Sequence, residues 1–126
     1  MAYLVACFTA ALSFLLNRAA LRYVGLQAVI TYSPAVEETT KTLLAFYLGA
    51  DMLVTHVVFG TIEAVHDWAT SQNHGTAAAV SSIFGHSLFG MVTMGALVLT
   101  GQILLALAAG IAVHLAWNIM IIRLTV

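Results

Sequence analysis

Ser33-Pro34-Ala35-Val36-Glu37-Glu38-Thr39-Thr40-Lys41 sets two carboxylates and an ammonium within five residues of an otherwise apolar chain. Only 4 Lys and Arg and 5 Asp and Glu occur among the 126 residues. Ionisable groups inside membrane-type segments are costly to keep, so their presence marks a functional site by default. Ser33-Pro34 reads as an N-cap followed by a first-turn proline, which predicts a helix running from there to about Gly49.

The composition around this stretch decides the class. At 62% hydrophobic and 7% charged residues, with a mean hydropathy of +1.02, the chain cannot cover a water-soluble surface, which takes about 25% charged residues. It reads as a single integral membrane domain over residues 1–126, all-α, a polytopic bundle of about five spans plus a short interfacial segment. The net charge of −1 gives no basis for nucleic-acid binding. Membrane lipid is the expected partner, and the composition leaves the oligomeric state open. Cys7, alone in an apolar run, reads as a small packing residue.

Met1 to Leu16 is apolar and is followed by Asn17, Arg18 and Arg22. Positive charge after the segment and none before it predicts a first span with its N-terminus outside the cell membrane and both arginines in the cytoplasm. Ala19 to Tyr32 is mixed in character and reads as the interfacial segment.

Spacing then predicts where the chain turns. One continuous helix from Glu37 to Glu63 would hold the carboxylates about 39 Å apart, more than the hydrocarbon thickness. A reversal is needed, and Gly49-Ala50-Asp51 stands at the midpoint. Glu63 and His86 have their midpoint in the polar run Thr70 to Thr76. His86 and His114 have theirs at Thr100, beside Gly101 and Gln102. Three turns thus bring Glu37, Glu63, His86 and His114 to one depth, about 17 to 21 Å from a turn along each helix.

Helical periodicity agrees with that depth. His56, Gly60, Glu63 and Asp67 share one face, as do Ser82, His86, Gly90 and Thr93, and also Gly110, His114 and Asn118. Small residues on such faces let helices approach closely, and polar groups point inward because lipid cannot satisfy them. Lys41 falls one turn from Glu37, an i,i+4 pair. His56 and His66 have no partner at their level and read as structural. Asp51 and His74 lie at turns and read as solvated. Tyr47 and Trp68 read as interface aromatics, and Trp117 as packing beside Asn118.

Taken in order, Glu37-Glu38-x-x-Lys41, Phe59-x-x-x-Glu63, a lone His86 and His114-x-x-x-Asn118 resemble the PrsW group of intramembrane proteases. That group lies within the superfamily of type II CAAX prenyl endopeptidases and bacteriocin-processing enzymes (CPBP). Lys41 and Glu63 stand where the wider superfamily has arginine and histidine, which points to PrsW. The likeness spans about Pro34 to Ile122. One departure is that no arginine occurs between Lys41 and Arg123. The resemblance implies a peptidase acting on membrane-associated protein or peptide substrates, whose site draws on Glu37, Glu38, Glu63, His86, His114 and Asn118, supported by Lys41 and Phe59. It leaves two chemistries open, since the superfamily has been described as both glutamate-type and metal-dependent.

On the metal-free reading, Glu37 activates water, Glu38 and Lys41 balance charge, His86 positions the water, and His114 and Asn118 polarise the scissile carbonyl. On the other, Glu63, His86 and His114 ligate zinc, with Glu37 as base. Lys41 near Glu37 works against a dication, so the metal-free reading is preferred. Two other classes stay open: a non-catalytic membrane scaffold, as in the scaffold subunit of gamma-secretase, a relative of this superfamily, and a small proton-coupled carrier.

Overall fold

The computed structural model of the chain describes residues 1–71 and 74–125. The described residues form five helices: α1 (Ala2–Tyr23), α2 (Leu26–Tyr47), α3 (Met52–Thr70), α4 (Gly75–Thr100) and α5 (Ile103–Thr125). No strand occurs among the described residues. Three helices, α1, α4 and α5, are long and apolar enough to cross a membrane. The protein is therefore an all-helical membrane protein, with α2 carrying the buried charged residues Glu37, Glu38 and Lys41.

The turns expected at Gly49 to Asp51 and at Thr100 to Gln102 are present, and local chemistry explains both; the one expected over Thr70 to Thr76 falls between α3 and α4, and residues 72 and 73 within it lie outside the described residues. Gly49 adopts φ 64°, with Ala50 N–H donating to Ala45 O at 2.8 Å and Gly49 N–H to Phe46 O at 3.3 Å. This is a Schellman ending, which a residue with a Cβ would strain. Asp51 then caps α3, accepting from Val54 N–H at 2.8 Å. Gly101, at φ 68°, closes α4 through a 2.8 Å bond to Leu97 O.

The start of α2 departs from the sequence reading. The helix begins at Leu26, after Gly25 at φ 98°, and Pro34 lies inside it. Ser33 is accordingly no N-cap, and Ala19 to Tyr32 is divided between the end of α1 and the start of α2. Proline has no N–H to give to the Ile30 carbonyl, a loss that would break a helix in water. Packed helices tolerate it because their neighbours supply other contacts, and the Pro34 ring is fully buried.

Helix contacts close a ring in the order α1, α3, α4, α5, α2, with α2 also touching α3. Burial is inverted relative to a soluble protein. Leu99, Leu104 and Leu124 are 86%, 71% and 76% exposed, whereas Glu38, Lys41 and His56 are 0% exposed. That distribution suits an apolar solvent outside and a polar interior.

Close packing of α3 on α4 depends on glycine. A Cβ on Gly60 would lie 2.6 Å from His86 Cβ and 3.0 Å from Ser82 O. Gly60→Ala is expected to part the two helices and lower stability by about 1 to 3 kcal/mol. Gly95 has nothing within 4 Å of the same position, so Gly95→Ala serves as the control. Melting of both variants in detergent, with only Gly60→Ala falling, is the expected outcome.

Candidate active site

Four helices deliver the charged and imidazole side chains to one interior cavity. Glu37 (α2), Glu63 (α3), His86 (α4), and His114 and Asn118 (α5) all line a space of about 350 Å³, with Asn17 of α1 at its wall. One ligand-type atom from each of Glu37, His86 and His114 lies within 4.8 Å of the others. His86 Nε2 bonds Glu63 Oε2, and the His86 and His114 rings stand 5.2 Å apart, edge to face. The residues singled out from spacing do meet.

Glu37 is gripped from two sides. Its Oε1 accepts from Asn17 Nδ2 at 3.0 Å and from the Ser33 hydroxyl at 2.6 Å. Two donors on one oxygen fix the carboxylate while leaving lone pairs for a ligand in the cavity.

Glu38 and Lys41 form the centre of the network. Lys41 Nζ lies 2.7 Å from Glu38 Oε1, an i,i+3 ion pair with both side chains fully buried. The expected pairing of Lys41 with Glu37 is therefore corrected to Glu38, the carboxylate that points the same way into the bundle. Lys41 Nζ also reaches His86 Nδ1 at 2.7 Å and sits 4.3 Å from the Phe59 ring centroid, a cation–π contact in a water-poor setting. Phe59 stacks obliquely on His86 at 4.9 Å. Glu38 Oε1 further bonds His114 Nδ1 at 2.9 Å.

His56, read from the sequence as partnerless, belongs to this network. It is fully buried, its Nε2 lies 3.3 Å from Thr42 Oγ1, and its Nδ1 faces Glu38 Oε2 at 3.7 Å. Residue spacing places no other histidine or glutamate at the level of His56; its partners are Glu38, further along α2, and the uncharged hydroxyl of Thr42. His66 is indeed peripheral, half-exposed beside Asp67. Phe89 was also missed: its ring stacks on His114 at 4.2 Å with a 20° tilt. The i,i+3 spacing of His86 and Phe89 was the available signal. Trp117 packs against Phe84 and lines the cavity too.

The metal ligand set also needs correction. The group that could hold an ion pairs the two histidines with Glu37, not with Glu63. The spacing is open enough for a cation, but the hydrogen bonding is not. An ammonium can only donate, so Lys41 takes the lone pair of His86 Nδ1, and Nε2 must then carry the hydrogen that points to Glu63. A histidine ligand needs a free ring lone pair. His86 has none, and the donor set does not suit zinc.

A second, larger cleft of about 950 Å³ runs between α1 and α3, walled by side chains such as Phe14, Leu15 and Ile62, and shares Glu37 and Glu63 with the cavity. The polar chamber thus lies beside an apolar groove, and Glu37 and Glu63 line both. No protein-family model, curated protein or solved structure matches the chain.

Proposed function

We propose that the protein is an intramembrane endopeptidase of the PrsW type, hydrolysing peptide bonds of membrane-associated proteins. The observation that carries this reading is the meeting of Glu37, His86 and His114 around one cavity inside an apolar bundle. Peptide hydrolysis needs a nucleophilic water, acceptors for its hydrogens and donors for the oxyanion. Glu37, immobilised by Asn17 and Ser33, is an anionic acceptor that orients and activates the water. Asn118 is on hand as a neutral donor to the carbonyl oxygen. The apolar cleft between α1 and α3 supplies a lateral approach for a substrate arriving from lipid.

The direct test is cleavage of a membrane-anchored substrate by the purified chain in vesicles, with and without a chelator. Cleavage that survives chelation is expected, because the one ring lone pair of His86 is taken by Lys41 and its ring hydrogen by Glu63. Activity lost on chelation and restored by zinc would overturn the metal-free mechanism.

The reading carries an orientation in the cell membrane. Alternation of five helices puts Arg18, Arg22, Ser71 and Arg123 on one side, the cytoplasmic one by the positive-inside rule. Met1, Asp51 and Gln102 then lie outside. In a Cys7→Ser background, Gln102→Cys is expected to react with an impermeant thiol reagent on intact cells and Ser71→Cys to be protected. The opposite pattern reverses the orientation.

A further inference from the structure

The hydrogen bonds around Glu38 decide what His114 can do. Glu38 Oε1 accepts from Lys41 Nζ at 2.7 Å and lies 2.9 Å from His114 Nδ1. A carboxylate paired with an ammonium has no hydrogen to offer, so the hydrogen of the second bond belongs to Nδ1. Neutral imidazole carries one ring hydrogen, which leaves His114 Nε2 with its lone pair. His86 is held in the opposite tautomer, with Nδ1 accepting from Lys41 and Nε2 donating to Glu63. Of the two imidazoles in the cavity, only His114 keeps a lone pair for a ligand. Its ring plane is held by the stacked Phe89.

This bears on the role expected for His114 from the sequence. A neutral ring with a lone pair on Nε2 cannot donate to a scissile carbonyl through that atom. The geometry points to His114 as the proton acceptor of the site and to Glu38 as the residue that positions it, an assignment of catalytic roles that rests on the peptidase reading above. His114 Nε2 takes a proton from the attacking water while the water oxygen bonds to the carbonyl carbon. As the C–N bond then breaks, the same proton passes to the departing amine nitrogen. The water's OH ends on the acyl carbon and its proton on the amine. Glu37 accepts the hydrogen bond from the remaining water hydrogen. Glu38 keeps its charge throughout and stabilises the imidazolium that forms between the two steps. The oxyanion is left to Asn118.

The experiment uses histidine-selective 15N labelling of the full chain in nanodiscs, with resonances assigned through His86→Gln and His114→Gln. His114 is expected to show a protonated Nδ1 and an unprotonated Nε2, and His86 the reverse. Glu38→Gln keeps an oxygen for Lys41 Nζ and His114 Nδ1 but loses the charge that stabilises the imidazolium, so the His114 tautomer should hold. Cleavage should then fall in kcat by about 10²- to 10⁴-fold, with KM within a few-fold. A merely structural Glu38 would leave kcat unchanged wherever the variant folds.

A hydrogen on His114 Nε2 in the wild type overturns the assignment, and so does full kcat in Glu38→Gln. The wild-type spectrum answers even where a variant folds poorly. A wild type with the expected tautomers that cleaves no substrate overturns the peptidase reading and with it the catalytic role of His114, while the tautomers and the positioning by Glu38 stand.

Discussion

Glu37→Gln should lower cleavage of a membrane-anchored substrate by about 10²-fold or more while the folded bundle survives. The amide keeps the size of the side chain and can still meet the Asn17 and Ser33 donors that hold Glu37 Oε1. What it loses is the anionic charge beside the water. Hydrogen bonds to a charged acceptor are roughly twice as strong as neutral ones. Inside a water-poor cavity, a preorganised electrostatic contact of this kind is worth about 10² to 10³ in rate. Activity and detergent melting should be read on the same preparations. Cleavage within tenfold of wild type would remove Glu37 from the mechanism. A fall in melting that accounts for all of the lost activity would favour a scaffold in which Glu37 serves only to tie α1 to α2.

The largest effect on stability is expected at Lys41. Both partners of the Glu38–Lys41 pair are fully buried, and removing one member strands the other's charge where water cannot reach it. Lys41→Met should cost about 3 to 5 kcal/mol. It would also release His86 Nδ1 and empty the cation site over Phe59. The double variant Glu38→Gln, Lys41→Met removes both charges and should recover much of the loss, since buried ion pairs replaced as a unit are often close to neutral. The comparison is of detergent-state unfolding for the two single variants and the double. Additive losses would show that the pair is not coupled and that Lys41 acts through packing alone. No recovery of cleavage is expected in the double variant, because the charge of Glu38 that stabilises the His114 imidazolium is gone.

Much of the architecture could be read in advance because it depends on local chemistry. Gly49-Ala50-Asp51 and Thr100-Gly101-Gln102 combine a left-handed glycine with capping groups, and such signals act over a few residues. The start of α2 could not be read the same way. Ser33-Pro34 carries a good N-terminal signature, but Gly25 had already broken the chain, and the helix passed through the proline. In a packed bundle the backbone has no water to turn to, so one missing hydrogen bond costs less than exposing a whole turn.

The candidate site divides along the same line. Depth follows from residue spacing and rise per residue, so the convergence of Glu37, Glu63, His86 and His114 could be worked out on a line of text. Partner choice within the cavity could not. Whether Lys41 turns to Glu37 or to Glu38 depends on rotation within a single turn of α2, and spacing rules admit i,i+4 and i,i+3 equally. Asn17 reaches Glu37 across 20 residues of sequence, and His114 reaches Glu38 across 76. Such contacts exist only once the ring of helices has closed.

By itself, the sequence determined that this is a helical membrane protein, where three of its four turns fall, and which faces of the late helices point inward. These follow from composition, backbone conformational preference and the 3.6-residue period, none of which needs a neighbour. Tertiary structure alone decided the pairing of Lys41 with Glu38, the recruitment of His56, and the opposite tautomers of His86 and His114. Each of those depends on which donor faces which acceptor across two helices, a matter of ångströms and angles that no one-dimensional pattern carries.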